Sequence, residues 1–525
     1  MSINQFRQEV GMAKGRERLG GFKLTGVQPI FAPFVIVVGL FVYTINIDEG
    51  LLRTLGLFLF VILAGIWLCW ETAARLGDPR LRILGTLWLL KILLTIFLQY
   101  YGGWSSQFDV DNYVVGEGYD AYRFYYDAKA MLDNNWVPEV ETSYQGIVYY
   151  YGVIFFLFGW NPVAPGLVNA LITLLSVLYL IDTLYRVEIK KRRIGIKRNG
   201  IQAQQQKIRP DQDGIRTRQT LKRWTVALLL LIPEIVYYDV QTSRDSLMAA
   251  LLLVAVLALG RWIFRIGTRD SANQIILVVV TVLMISITRT TMLLPLIATV
   301  GVMVWISKYI DFQSKVAAVV SLLALSLLFI YSPELVEMTG GQALTAEEIF
   351  KGKGVKDSSG HEEWTHNSIG KMLEPSNPFE TVLFAFPRAI VYLVAPLPTI
   401  NFTLSGLING ERPSWDAFFT AQSAFLNLLM FPFYIAGFFY FGAKRRAEVV
   451  SFYMFYITFI IMMLAIAGGN IIIHERYRLM AIPFYYACIW LSYKSVPKKL
   501  VMRAGFLWAG ICVLGVVFYF TRKMF

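Results

Sequence analysis

Gly118-Tyr119-Asp120-Ala121-Tyr122-Arg123-Phe124-Tyr125-Tyr126-Asp127-Ala128 sets acids and aromatics at helical spacing. Asp120, Phe124 and Ala128 stand at i, i+4 and i+8 and share one helix face. An apolar run ends just before, near Tyr101, which puts the acid at a membrane surface. A carboxylate held there can take the proton of an acceptor hydroxyl, help worth typically ~10²–10⁴-fold in rate. Two further polar groups interrupt apolar sequence. Tyr238-Asp239 is followed by Ser243-Arg244-Asp245, and Gly468-Gly469-Asn470 leads to His474-Glu475-Arg476-Tyr477-Arg478, with Pro483 soon after. Arginine offers a planar fork of donors that stays charged and matches phosphate oxygens.

Each of these residues has a plainer use. Asp120 can solvate an interfacial helix, and Asp245 can sit at a helix N-terminus, where the dipole favours an acid. Arg476 and Arg478 can snorkel to lipid headgroups. An outer location weighs against that use, since membrane proteins concentrate their Lys and Arg inside. His474 is read as structural or as a secondary phosphate donor. Asp109-Val110-Asp111 is the one metal-like pattern, and it reads more simply as a hydrated loop. No cofactor is implied. The three cysteines lie in apolar runs, and the three histidines make no metal-ligand spacing. Lys91, inside an apolar run, and Glu234, just after Pro233, are ionisable groups at membrane depth and call for a functional or pairing explanation. The two are candidate partners for each other.

The elements that must position these groups are membrane helices. Hydrophobic residues make up 56% of the 525, charged residues 16%, and mean hydropathy is +0.53. Repeated runs approach the ~20 apolar residues of a transmembrane helix, and a β-barrel would instead show short alternating segments. Apolar runs fall at 29–46, 54–73, 82–101, 163–185, 224–240, 246–265, 273–288, 291–307, 316–332, 417–441, 448–466, 479–493 and 504–520. The expected fold is an all-α polytopic transmembrane bundle of about 12–13 spans with juxtamembrane helices on its outer face. The net charge of +13 reflects Lys and Arg gathered in short loops, so no nucleic-acid partner is expected.

Those basic loops orient the chain. The arm 1–28 is expected in the cytoplasm, with no cleavable signal peptide, together with the loop 187–223, read as a disordered connector. A first membrane module covers 29–332, with an acidic outer loop at 102–144. An outer loop with a juxtamembrane segment covers 333–416, and a second module covers 417–525. Ile147–Gly159 is apolar enough to suggest a crossing, but a crossing would put the basic 187–223 loop outside. It is therefore expected to be a juxtamembrane or re-entrant helix on the outer leaflet, as is Thr381–Pro398.

Taken together these segments resemble the GT-C superfamily of lipid-phosphate-sugar-dependent glycosyltransferases, which includes the protein mannosyltransferases and the aminoarabinose transferases of lipid A. The resemblance runs through Asp120-Ala121-x-x-Phe124-x-x-x-Ala128, Tyr149-Tyr150 with Ile154 and Leu157-Phe158-Gly159, and Leu167-Val168-Asn169-Ala170-Leu171. It continues through Pro233 to Asp245 and Arg476-Tyr477-Arg478 with Pro483. Roughly two thirds of the chain is covered in order, by short motifs; two extra spans before the first acidic loop depart from the simplest layout of the family. The resemblance implies a polyprenyl-phosphate-linked sugar as donor and a lipid, glycan or protein as acceptor. It implies Asp120 with Asp245 as catalytic acids, and Arg244, His474, Arg476 and Arg478 as substrate-binding residues. The site would face the non-cytoplasmic side of a membrane, expected to be the bacterial plasma membrane. Two other classes fit the same features: a polysaccharide polymerase using lipid-pyrophosphate oligosaccharides, on Gly116-Glu117-Gly118-Tyr119-Asp120 and the outer arginines, and a non-enzymatic flippase or transporter of lipid-linked sugars.

Overall fold

The computed structural model describes residues 51–76, 79–101, 120–138, 142–160, 163–203, 229–240, 244–266, 271–331, 378–394, 415–443, 450–469 and 475–524. Among them are fifteen α-helices and no strand, an all-α bundle. In chain order these are α1 (Leu51–Leu76), α2 (Ile83–Tyr101), α3 (Asp120–Asp133), α4 (Thr142–Phe158) and α5 (Val163–Ala203). Then come α6 (Pro233–Val240), α7 (Arg244–Ile263), α8 (Ser271–Arg289), α9 (Leu293–Ile306) and α10 (Phe312–Tyr331). The chain closes with α11 (Pro378–Val394), α12 (Trp415–Ala443), α13 (Val450–Gly469), α14 (Ile482–Ser495) and α15 (Lys498–Met524).

Among the described residues, four helices carry stretches long and apolar enough to cross a membrane: Gly56–Leu76, Val163–Val187, Arg244–Ile263 and Ala421–Ala443. Ile83–Leu98, Gln145–Phe158, Asn273–Arg289, Leu293–Ile306, Phe312–Leu327, Leu383–Val394 and Met454–Ala467 are apolar but shorter. The chain is thus a helical membrane protein. Its surface agrees: Ile275, Ile276, Val279, Val280, Leu283 and Ile287 stand exposed along α8, an apolar area that water would not favour. The expected run 29–46 lies outside the described residues.

At the centre, α7 packs between α5 and α8, α5 packs on α1, and α6 is held by α5, α2 and α12. On the other side α12 packs on α14 and α15, and α13 joins α11, α9 and α14. A short 3₁₀ segment, Glu475–Met480, lies against α7. One apolar core runs from Leu57 of α1 to Leu491 of α14, and a small second cluster of Ala436, Val496 and Ala504 joins α12 to α15.

Three local features differ from, or sharpen, the sequence expectation. α5 runs on as helix to Ala203, into the basic stretch read as a disordered connector. The helical part of that stretch is rich in Lys, Arg and Ile, mostly residues of fair to good helix propensity despite Gly195 and Gly200, and it continues an existing helix rather than nucleating one. The 224–240 run is interrupted: helix at Leu229–Leu230 stops at Leu231 and Ile232 and resumes at Pro233. Proline is at home in a first helical turn, where its missing N–H has no partner to lose. Third, α4 ends at Gly159, which adopts φ 82 while its N–H donates to the Phe155 carbonyl at 2.9 Å. Glycine takes that left-handed conformation without a Cβ penalty.

Candidate functional site

α3 and α4 form an antiparallel pair. Tyr149 donates its hydroxyl to the Trp136 carbonyl at one end, and Tyr125 packs on Phe155 and Trp160 at the other. Lys129 Nζ sits 3.9 Å from the Trp160 ring centre, a cation–π contact. Burial pushes the Tyr125 phenol up from its usual range. It raises the Asp127 carboxyl as well, against the opposing pull of Arg123, whose Nε lies 3.4 Å away. The start of α4 lies tight on the end of α8: the Ile287 carbonyl occupies the place where a side chain on Gly146 would stand.

Beyond that contact the bundle gathers charge. Arg289, the last residue of α8, donates from Nη1 to Asp245 Oδ1 at 3.2 Å, and its guanidinium centre lies 5.3 Å from the Tyr477 ring centre. Asp245 is the second residue of α7, where the helix dipole adds to the attraction. Three stretches far apart in sequence therefore meet at one point: the start of α7, the end of α8 and the 475–480 turn.

Two more pairs lie deeper. Lys91 Nζ of α2 is 2.6 Å from Asp239 Oδ2, and Thr173 of α5 donates to Asp239 Oδ1 at 2.7 Å. Arg478 Nε reaches both Glu234 oxygens at 3.0 Å, Ser423 of α12 donates to Glu234 Oε2 at 2.9 Å, and Arg478 Nη1 donates to the Tyr392 carbonyl at 3.1 Å. Both pairs have side chains 0% exposed, whereas Arg289 and Asp245 are 12% and 4% exposed. Sixteen residues along α7, a rise of about 24 Å, Arg261 meets Asp182 at 2.9 Å, and Asp182 also pairs with Arg186 at 2.8 Å. The central helices are thus clasped by charge at both ends.

The sequence expectations sort accordingly. Asp245 lies in the charged cluster, and Arg244, half-buried, opens the same helix. Asp120 is the first residue of α3 and Arg476 lies in the 475–480 turn, but the side chains of both fall outside the described residues, as do His474, Asp109 and Asp111 altogether. Arg478, expected to bind substrate, faces Glu234 and a carbonyl at full burial, so an anion would have to displace a carboxylate of the chain itself. Glu234 and Lys91 do not pair with each other. Arg289 was not singled out from the sequence. The signal for it was an arginine between two apolar runs, at the end opposite the basic loops. Among the described residues, no three of His, Cys, Asp and Glu gather to hold a metal.

Comparison with protein-family models, curated proteins and solved structures finds no match to this chain.

Proposed function

We propose that this protein is a membrane glycosyltransferase, moving a sugar from a polyprenyl-phosphate donor to an acceptor at the non-cytoplasmic face. The meeting of Asp245, Arg289 and Tyr477 beside the helix pair that opens at Asp120 carries the reading. An acid on an interfacial helix and a charged cluster at the neighbouring bundle end are what such a transfer requires. In the reaction the acceptor oxygen attacks the anomeric carbon and gives its proton to Asp120. The bond from that carbon to the phosphate oxygen breaks, and polyprenyl phosphate leaves. Arg289, with Arg244 and Arg476, the chain neighbours of its partners Asp245 and Tyr477, takes the phosphate role in place of Arg478. The donor's lipid tail stays among the exposed apolar helix faces. The basic loops orient the N-terminus to the cytoplasm and this end of the bundle outward, in a bacterial plasma membrane. A transporter reading asks for charges lining a path, and the pairs Lys91–Asp239 and Glu234–Arg478 are shut from any surface.

The test uses the full chain in nanodiscs with radiolabelled polyprenyl-phosphate and polyprenyl-pyrophosphate sugars. Wild type is expected to bind and cleave the monophosphate donor. Asp120→Asn is expected to keep binding and lose at least ~10²-fold in turnover, while Arg289→Ala loses binding. Cleavage confined to pyrophosphate donors would establish the polymerase reading, and translocation without bond breaking the transporter.

A further inference from the structure

Asn169 is a buried carboxamide near the start of α5 that joins three helices. Its Oδ1 accepts from the Tyr150 hydroxyl at 2.8 Å, and its Nδ2 donates to the Tyr151 hydroxyl and to the Asp239 carbonyl, each at 3.3 Å. The amide orientation follows from chemistry: a backbone carbonyl only accepts, so the group facing Asp239 must be the NH₂. The Asp239 carbonyl belongs to the last turn of α6, where carbonyls have no partner inside the helix. One turn further along α5, Thr173 holds the Asp239 carboxylate. A single face of α5 thus fixes the end of α6 by both its carbonyl and its acid. On its other side it fixes α4 by two consecutive tyrosines.

We infer that Asn169 is a positioning residue, which sets the seat of α4 against the end of α6, beside the end of α8. Through α4 it sets the place of α3, which begins at Asp120. The roles of the groups so positioned rest on the proposed glycosyl transfer, but the coupling of α4 to α6 does not. Only a carboxamide supplies both an acceptor for Tyr150 and donors for Tyr151 and the carbonyl. Aspartate has no donor and would place a second carboxylate beside Asp239. An aliphatic residue would strip the Asp239 carbonyl and the Tyr150 hydroxyl of the partner that Asn169 provides.

The test places spin labels on the cysteine-free full chain in nanodiscs, at Val153→Cys on the exposed face of α4 and Ile276→Cys on that of α8. A second pair, Leu59→Cys with Ile276→Cys, reports the bundle alone; all three positions are exposed. Asn169→Ala, Asn169→Asp and the milder Tyr150→Phe are expected to broaden the α4–α8 distance distribution and leave the bundle pair narrow. For Asn169→Asp the broadening is expected to reverse in acid, as the new carboxyl gains a proton to donate. Donor cleavage by Asn169→Ala is expected to fall about tenfold to hundredfold in kcat, with KM little changed, the size of loss that misplacement causes. An unchanged α4–α8 distribution overturns the inference, and so does equal broadening of both pairs in every variant. Broadening confined to α4 in a protein that cleaves no donor sustains the coupling and removes the transferase reading.

Discussion

Charge buried at membrane depth is tolerated only in company, and the two sealed pairs show how strongly each residue depends on its partner. Removing one member of a buried pair leaves the other unpaired, at a cost of about 3–5 kcal/mol, whereas replacing both with apolar groups is close to neutral. Arg478→Met is therefore expected to lower the thermal midpoint in detergent sharply, and Glu234→Leu added to it to recover much of the loss. A midpoint that falls further in the double variant would contradict pairing as the main role of Arg478. The Arg289–Asp245 pair differs because it reaches the surface and its acid competes with any bound anion. Asp245→Asn should thus tighten binding of a short-chain polyprenyl phosphate several-fold, and Arg289→Ala should weaken it at least tenfold, both read by calorimetry. A purely structural pair would lose binding in both variants. Such partners could not be read from the sequence. Arg289 and Asp245 are 44 residues apart and Arg478 and Glu234 are 244 apart. An ionisable group in an apolar run shows that a partner exists, not which one. Lys91 chose Asp239 over Glu234 because five residues along a helix move a side chain about 7.5 Å and turn it about 140°.

At the scale of elements, the helix over Ile147–Gly159 was legible in the chain, in its apolar run and in the glycine that ends it. What stayed hidden was how firmly it is seated, since that depends on Gly146 meeting the carbonyl of Ile287 and on Tyr150 finding Asn169. α5 is the converse case: its charged extension is polar enough to pass for a connector, and only continuity with an anchored span makes it helical. Docking of α3 carries its own pH signature. Burial raises the Asp127 carboxyl above its usual value, so the docked state disfavours the charged form. Docking is then unaffected below the ordinary carboxylate range, weakens as pH rises through the window between the ordinary and the raised value, and stays weaker above it. Hydrogen exchange along α3 is expected to quicken relative to the rest of the bundle as pH rises from the ordinary carboxylate range through the raised value. Asp127→Asn should abolish that difference, and a difference of opposite sign would mean that Arg123 outweighs burial.

For the whole molecule the open matter is how many times the chain crosses, and two helices decide it. α5, with 41 residues, extends about 60 Å, enough to cross a core of about 30 Å and emerge well beyond it. α4, with 17, extends about 25 Å and runs antiparallel to the polar α3, so a crossing would carry α3 and its charges into lipid. If α5 crosses and α4 does not, the two ends of the 120–203 segment must lie on opposite sides. Cysteines at Arg123, exposed on α3, and at Gln205, in the basic stretch, test this in a background lacking the native Cys69, Cys488 and Cys512. A membrane-impermeant maleimide is expected to label Arg123→Cys on intact cells and Gln205→Cys only after the membrane is opened. His361→Cys, in the outer loop of the sequence reading, should behave like Arg123→Cys. Labelling of Arg123→Cys and Gln205→Cys from one side would make α4 a second crossing. It would also move the acid of α3 to the side of the basic loop, away from the surface where the proposed transfer must occur.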